Sequence, residues 1–249
     1  MRTIDLNADV GELPELADVE DALLGVVTSV NIACGGHAGD AGSMERLVRA
    51  AIARGVAIGA HPSYPDRAGF GRRAMNLPHD VLAGTTAEQV AALLEVTRRA
   101  GVRLAHVKPH GALYNAAAKD AALARAIADG VARVAPGVVL VGLAGSAMLG
   151  VFSEAGFAVA GEAFADRGYE PDGSLTPRGW PGAMKALSEE AAEQAVAIAT
   201  CGEVVAANGA RVRIAARTLC LHSDTPGALG IARAVAARLG QEGVAIRPL

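Results

Sequence analysis

The sequence predicts an α/β fold, a single (β/α) barrel spanning residues 1–249, and three observations support this class. Short apolar runs typical of strands alternate with segments of helical periodicity. The runs have few polar interruptions, which is typical of parallel strands covered by helices. Chemically active residues follow nearly every run, whereas an open, doubly wound sheet gathers its site near one switch point. The length of 249 residues fits one such domain.

The apolar runs predict seven strands, at residues 2–7, 26–33, 56–60, 103–108, 138–142, 157–164 and 216–222. After Asp40, apolar residues from 44 to 52 recur at helical spacing, and Gly55 follows as a stop signal. Thr86 and Gln89 form a capping-box pattern that predicts the start of the next helix.

The second half of the chain repeats this alternation. A helix is expected over residues 119–135, and Ser188 and Thr225 are expected to cap the last two helices. Residues 62–85 and 166–187 are left as long connections rich in Pro, Gly and Arg, and such connections are often lids or binding loops.

Composition excludes several classes of protein. Hydrophobic residues make up 51% of the chain against 20% charged, which is ample for a core and unlike a disordered chain. A net charge of −3 without a long basic run predicts no binding to nucleic acid or to anionic membranes. Three widely separated cysteines outside any CxxC pattern disfavour a disulfide scaffold and suit a reducing cytoplasm.

Neither the start of the chain nor its interior predicts a membrane segment. The start has no apolar core of signal-peptide length. Residues 134–153 are uncharged and long enough to consider, but prolines and glycines divide them into a strand, a turn and a buried helix. We therefore predict a chain without a transmembrane segment.

Two acids follow the first strand, in LNADVGE. Asp9 and Glu12 suit general-base chemistry or the binding of a cation. Glu12 has an alternative role, since an acid at the start of the next helix is favourable there. Asp9 is the stronger candidate because an acid that ends an apolar strand needs a partner.

The segment NIACGGHAGD joins a strand to a helix through several glycines. Such a turn lets backbone N–H groups approach a ligand, and a helix N-terminus favours an anion. His37 is a candidate binding residue, and so is Asp40, which we also expect to be the N-cap. Cys34 is expected to be small core filler rather than a nucleophile paired with His37.

GAHPSYPDRAGFGRR places His61 directly after a strand and arginines on the loop beyond it. His61 is a candidate catalytic residue. Arg72 and Arg73 could clamp a phosphate or carboxylate, with solvated surface charge as the alternative.

HVKPHGALYN is the densest cluster of functional side chains. His106 and Lys108 alternate to the same side of a strand, and Pro109 leaves His110 in the loop. Lys108 is a candidate electrostatic clamp or an amine of lowered pKa, and His106 could be a core histidine. Candidate binding residues from the same cluster are Tyr114 and Asn115.

Two further groups follow the last two predicted strands. Asp166 and Arg167 could orient a substrate or form a structural ion pair that holds the loop. His222 and Asp224 complete the candidate binding set, and helix capping is an equal alternative for Asp224.

Histidines and acids gathered from separate strands could form a catalytic zinc site, for which Asp9, His37 and His61 are the candidate ligands. The sequence has no HExxH or other compact ligand spacing, so we predict no tightly bound metal. It also has no GxxxxGK[ST] loop, so any nucleotide must bind by another arrangement.

In order, these motifs resemble those of the LamB/YcsF family. The resemblance covers nearly the whole chain, through LNADVGE, SVNIACGGHAGD, GAHPSYPDRAGFGRR, HVKPHGALYN, FADRGY, LTPRG and LCLHSDTPG. It implies a seven-unit barrel like those of some glycoside hydrolases and deacetylases. It also implies ATP-dependent hydrolysis of 5-oxoproline to L-glutamate, with Mg²⁺ accompanying ATP, in a complex with B and C subunits of a 5-oxoprolinase.

Under that resemblance the expected catalytic residues are Asp9, His61, Lys108 and His110. The expected substrate- or ATP-binding residues are Glu12, His37, Asp40, Arg72, Arg73, Tyr114, Asn115, Asp166, Arg167, His222 and Asp224. Two other functions stay open: a metal-dependent hydrolase or deacetylase that acts without ATP, and a non-catalytic subunit that binds substrate for its partners.

Overall fold

A computed structural model describes residues 2–249 and confirms a closed barrel of seven parallel strands surrounded by helices. The strands in chain order are β1 (Arg2–Val10), β2 (Ser29–Ala33), β3 (Ala57–His61), β4 (His106–Val107), β5 (Val139–Leu143), β6 (Ala158–Phe164), β7 (Glu203–Val205), β8 (Arg211–Arg213), β9 (Thr218–His222) and β10 (Val244–Ile246). The helices are α1 (Ala17–Leu23), α2 (Ala41–Arg54), α3 (His79–Arg99), α4 (Gly111–Ala117), α5 (Ala121–Ala132), α6 (Ala147–Glu154), α7 (Ser188–Cys201) and α8 (Ala228–Gln241).

The barrel is formed by β1 to β6 and β9, each parallel to its neighbours, and β9 closes it by pairing with both β6 and β1. Two short pieces of sheet were not predicted. An antiparallel hairpin, β7 and β8, follows α7, and β10 extends the sheet beside the first residues of β1. The carboxyl ends of all seven barrel strands therefore face one mouth.

Alternation along β1 divides its residues between two environments. Leu6, Ala8 and Val10 belong to the apolar core between barrel and helices. Asp5, Asn7 and Asp9 are buried on the opposite face, inside the barrel. Polar side chains thus fill the barrel interior, and the apolar core lies outside it.

One glycine makes room for a polar side chain in that interior. A Cβ at Gly59 would collide with the imidazole ring of His106 on the neighbouring strand. His106 is buried there and donates from Nε2 to Oδ1 of Asn31 at 2.8 Å. The alternative of a core histidine therefore describes His106 correctly.

The helix predicted after Asp40 is confirmed together with its ends. Asp40 Oδ1 accepts from the backbone N–H of Ser43 at 2.8 Å, and the Ser43 hydroxyl accepts from the backbone N–H of Asp40. Gly55 ends the helix in the left-handed region, with φ 68°.

The predicted start at Thr86 is wrong. Helix α3 begins at His79, and Thr86 is buried in its middle, so the preceding connection ends at residue 78. Gln89 does not cap the helix. Its Oε1 accepts from Ser63 N at 2.9 Å, and its Nε2 donates to Ser63 O at 2.8 Å. Thr86 and Gln89 therefore lie on a buried face in the middle of α3, where Gln89 holds the loop at Ser63, and they do not form the start of the helix.

Other boundaries also differ from prediction. The helix expected over 119–135 is confirmed as α5, which begins later, at Ala121, because Asp120 is its N-cap and accepts from the N–H groups of Ala122 and Leu123. Helix α4 before it was not predicted. The side chain of Ser188 makes no capping bond, although α7 begins there. Gly227 occupies the N-cap of α8, while the Thr225 hydroxyl donates to Asp166.

The stretch considered as a membrane segment is a strand and a helix, β5 and α6, as predicted. Among the helices of residues 2–249, none combines the length and apolar character needed to cross a membrane.

Candidate active site at the barrel mouth

A cavity of about 550 Å³ opens at the carboxyl ends of the strands. Asp9 is the next-to-last residue of β1, His61 ends β3, Lys108 follows β4 and His222 ends β9. All four line this cavity. Glu12 and His110 line it from the loops above. The strand-end residues predicted as catalytic are thus brought together.

An ion pair between Asp9 and Lys108 forms the floor. Lys108 Nζ lies 2.8 Å from Asp9 Oδ1 and 2.9 Å from Glu162 Oε1, and it lies 3.1 Å from Sγ of Cys220. Asn31 Nδ2 also donates to Asp9 Oδ1 at 2.8 Å. The other Asp9 oxygen, Oδ2, faces Nε2 of His61 at 3.3 Å.

These contacts determine the charges of the pair. Burial lowers the pKa of Lys108, but Asp9 and Glu162 outweigh burial and raise that pKa well above its usual value. Burial also raises the pKa of Asp9, and the contacts with the His61 ring and the Lys108 ammonium outweigh it and hold the pKa well below normal. The alternative of Lys108 as an amine of lowered pKa is therefore wrong. Lys108 is a charged residue that positions Asp9.

Three histidines surround Glu12 beside this floor. Glu12 Oε1 lies 3.0 Å from Nε2 of His37, 3.0 Å from Nδ1 of His110 and 3.8 Å from Nε2 of His61. His110 Nδ1 and His61 Nε2 are 3.0 Å apart. Glu12 lies outside α1, so its alternative role as a helix-start acid is wrong.

Burial controls the protonation of this group. It lowers the pKa of His37 to about 4, against the opposing effect of Glu12, and it lowers the pKa of His110. Burial alone would raise the pKa of Glu12, but hydrogen bonds from His110 and His37 lower it far below normal. Glu12 is therefore a carboxylate.

Cations line the rim of the cavity. Arg72 donates to Oδ2 of Asp224 at 2.5 Å, and Arg178 lies 3.8 Å from the same oxygen. Arg167 donates to the carbonyls of Thr176 and Ala183 and so holds the loop from 166 to 187. Asp224 thus pairs with arginine rather than capping α8.

Asp166 supports the far wall instead of facing the cavity. Its oxygens lie 3.0 and 3.1 Å from Nδ1 of His222, and it accepts from the Thr225 hydroxyl at 3.0 Å. The His222 ring stacks on Phe164, with centroids 5.4 Å apart. Burial raises the pKa of Asp166, but His222 outweighs it and the pKa is lowered. The structural ion pair expected for Asp166 is thus with His222 rather than Arg167.

The remaining candidates divide between the wall and the surface. Tyr114 is buried in the cavity wall, and Asn115 is exposed at the rim. Asp40 is an exposed helix cap, and Arg73 is exposed and does not line the cavity, so the structure does not bring these two into the site. Cys34 is core filler as expected, and burial raises the pKa of its thiol to about 12.

Several residues of the site were not predicted. Asn31 and Glu162 hold Asp9 and Lys108 from the barrel interior, and Asn7 Nδ2 donates to Glu162 Oε1 at 3.1 Å. Arg178 at the rim was also missed. The signal for Asn7 and Asn31 was available, because both are polar residues at alternate positions inside otherwise apolar strands.

Comparison with known proteins gives consistent results over the whole chain. Residues 4–249 match the LamB/YcsF family. A protein of Methylococcus capsulatus, named as the A subunit of 5-oxoprolinase, is 50% identical, covering 100% of this chain and 96% of that protein. One of Streptomyces avermitilis with the same name is 49% identical, covering 98% of each.

Comparison with solved structures gives the same fold. The crystal structure of the lactam utilization protein from Thermus thermophilus superposes with a TM-score of 0.91 at 43% identity, covering 99% of this chain and 100% of that one. A family 4 carbohydrate esterase from Streptomyces lividans, at 13% identity and a TM-score of 0.50, covers 98% of this chain and 91% of its own and shares the fold alone. The chain belongs to the LamB/YcsF family.

Proposed function

We propose that this chain is the A subunit of a multi-subunit 5-oxoprolinase and that its barrel mouth hydrolyses the lactam of 5-oxoproline to L-glutamate with consumption of ATP. One observation carries the proposal. Over its full length the chain is about 50% identical in sequence to two relatives that are named as the A subunit of 5-oxoprolinase. The name of those relatives supports a complex, for which we propose B and C subunits as partners. Three free cysteines are compatible with a reducing cytoplasm.

The cavity suits this substrate in both size and charge. A volume of about 550 Å³ is within the range of small-molecule sites. The rim arginines Arg72 and Arg178 are available for the carboxylate of 5-oxoproline or for a phosphoryl group. Phe164 and Tyr114 offer apolar surface to the ring methylenes.

An unactivated lactam is a poor electrophile, which is why ATP is needed. Transfer of the γ-phosphoryl group of MgATP to the lactam oxygen releases ADP and activates the ring carbon. Water then adds to that carbon, the C–N bond breaks as nitrogen gains a proton, and a second water releases phosphate. One ATP and two waters thus give glutamate, ADP and phosphate.

Within this reaction Asp9 is the group best placed to accept a proton from the attacking water. Asp9 lines the cavity, its Oδ1 is held by Lys108 and Asn31, and its Oδ2 lies 3.3 Å from Nε2 of His61. Lys108 fixes Asp9 and supplies positive charge below the reacting carbon. His61 and His110 complete the floor, and their catalytic role stays a prediction.

The test is to assay the chain alone and with its B and C partners for release of ADP and glutamate. We expect equal amounts of both products, only when 5-oxoproline and ATP are present together and only in the assembled complex. Glutamate formed by the chain without nucleotide would overturn the proposal in favour of an ATP-independent hydrolase.

A further inference from the structure

The planes of the three histidine rings decide which of them can share one ion. A metal ion bound to imidazole lies in the plane of the ring, along the nitrogen lone pair. His61 and His110 are nearly perpendicular, at 87° with centroids 4.9 Å apart, so one point can lie in both planes. His37 stacks parallel on His110, with 2° between planes and centroids 3.6 Å apart. An ion in the plane of His110 therefore lies well outside that of His37.

Hydrogen bonds to backbone carbonyls fix which nitrogens of the two perpendicular rings carry hydrogen. His61 Nδ1 lies 2.7 Å from the carbonyl of Lys108, and His110 Nε2 lies 3.0 Å from the carbonyl of Phe70. A carbonyl only accepts, so both of these nitrogens are donors. The other two nitrogens, His61 Nε2 and His110 Nδ1, face each other at 3.0 Å, and His110 Nδ1 lies at the same distance from Oε1 of Glu12.

Two facing ring nitrogens beside a carboxylate are held together by a shared proton or by a metal ion, and the geometry fits a metal ion. Carbonyl bonds on the outer nitrogens are also the usual support of metal-binding histidines. Tetrahedral ligands at zinc-type bond lengths are roughly 3.3–3.5 Å apart. The separations among Glu12 Oε1, His61 Nε2 and His110 Nδ1 are 3.0, 3.0 and 3.8 Å, which bracket that value.

The charges of the surroundings favour a divalent ion. Three buried carboxylates, those of Asp9, Glu12 and Glu162, face one buried ammonium, that of Lys108. Buried charges of one sign need compensation. A dication at the histidines would balance the excess.

We propose that Glu12, His61 and His110 bind one divalent cation of the zinc class at the cavity floor, with water completing the coordination from the cavity. His37 is a positioning residue that donates from Nε2 to Glu12, and Asp9 adjoins the site through His61. Three protein ligands and an open position are typical of catalytic metal sites, where bound water ionises near neutral pH. An ion bound here would contradict the sequence-based prediction of no tightly bound metal, and its proposed ligands differ from the alternative set of Asp9, His37 and His61.

The test uses the purified full-length chain without lactam or nucleotide, so its outcome is separate from that of the proposed function. The chain is stripped with chelator and titrated with Zn²⁺ by calorimetry and with Co²⁺ by visible absorption. We expect one ion per chain and the intense cobalt bands of a four-coordinate site.

Variants identify the ligands. His61→Ala and Glu12→Gln should each weaken Zn²⁺ binding at least about 100-fold, and His37→Ala should weaken it roughly 10–100-fold with one ion still bound. His79→Ala is the matched control, because His79 is exposed on α3, away from the cavity, and its Nε2 lies 3.0 Å from Oδ2 of Asp129. Circular dichroism confirms that each variant is folded.

Wild-type chain that binds less than one equivalent would show that a proton, not a metal, lies between the histidines and would overturn the proposal. Glu12→Gln, which keeps the size of the side chain, would overturn it too if it bound Zn²⁺ as tightly as wild type while folded.

Discussion

Two aspartates on β1, four residues apart and on the same face, have opposite surroundings. Asp5, deep in the barrel, accepts from the hydroxyls of Thr28 at 2.7 Å, Ser29 at 2.7 Å and Thr218 at 2.5 Å. Asp9, at the mouth, contacts a lysine and a histidine and lines the cavity.

The difference appears in the pKa values of the two carboxyls. Burial raises the pKa of Asp5, because the hydroxyl donors are neutral and only partly offset it. The pKa of Asp9 is lowered although the residue is buried, because Asp9 contacts the His61 ring and the ammonium of Lys108. Asp5 and Asp9 are thus the same residue type and are both buried. Their neighbours make Asp5 a structural acid and Asp9 a candidate reactive one.

Removing Lys108, the cation that distinguishes the surroundings of Asp9 from those of Asp5, should have the largest effect. In Lys108→Met the carboxylates of Asp9 and Glu162 lose their buried cation, so we expect unfolding free energy to fall by about 3–5 kcal/mol. We expect product formation by the assembled complex to fall at least about 1000-fold. Urea denaturation and the ADP and glutamate assay measure the two effects.

Lys119→Met is the control, since Lys119 is exposed at the cavity rim. Near-normal ATP-coupled glutamate formation by Lys108→Met would contradict the role assigned to Lys108.

Asp166 tests whether a neighbouring histidine also determines the charge of a second mouth acid. Asp166→Asn should lower the unfolding free energy at pH 7 by about 1–3 kcal/mol, because the contact with His222 loses its charge. The folded-state pKa of Asp166 lies below its ordinary value of 3.8. As pH falls below about 4, the unfolded chain binds the proton first, so the stabilisation is present above that pH and lost below it.

Denaturant unfolding of wild type and Asp166→Asn at several pH values checks this sign. A difference in stability between the two proteins that stayed constant from pH 7 to about pH 3 would show that Asp166 acts through shape rather than charge.

Gln89 tests how the loop carrying the mouth residues is held. Gln89→Leu keeps the volume but leaves the backbone N–H and carbonyl of Ser63 without their partner, so we expect a loss of about 2 kcal/mol. Hydrogen exchange should accelerate in residues 62–78. Glu88→Leu, a change at an exposed neighbour on the same helix, should leave that exchange as in wild type.

The smallest effect is expected at the rim. Asp224→Ala removes the partner of Arg72 and Arg178, both partly exposed, so stability should change by less than about 0.5 kcal/mol. We expect KM for 5-oxoproline to rise a few-fold because Arg72 is no longer fixed. Asp224→Asn, which can still accept from Arg72, should change KM less, and equal effects of the two variants would argue against positioning.

The sequence was sufficient for the barrel and for the gathering of Asp9, His61, Lys108 and His110, because parallel strands bring their carboxyl ends to one mouth. It could not give the partners of each side chain. Gln89 holds Ser63 through contacts between segments that are distant in the sequence. Thr225 does not cap α8, because its hydroxyl donates to the distant Asp166, and Gly227 is the N-cap. The charge of Lys108 likewise depends on Glu162, which no local pattern connects with it.

The most direct test of the contrast between Asp5 and Asp9 compares Asp9→Asn and Asp5→Asn in the same assembled complex, with ADP and glutamate release measured per folded chain. We predict that Asp9→Asn loses at least about 1000-fold of the rate while Asp5→Asn stays within about threefold of wild type. An active Asp9→Asn complex would make this chain a non-catalytic subunit, and an equal loss in both variants would contradict the distinction between the two acids.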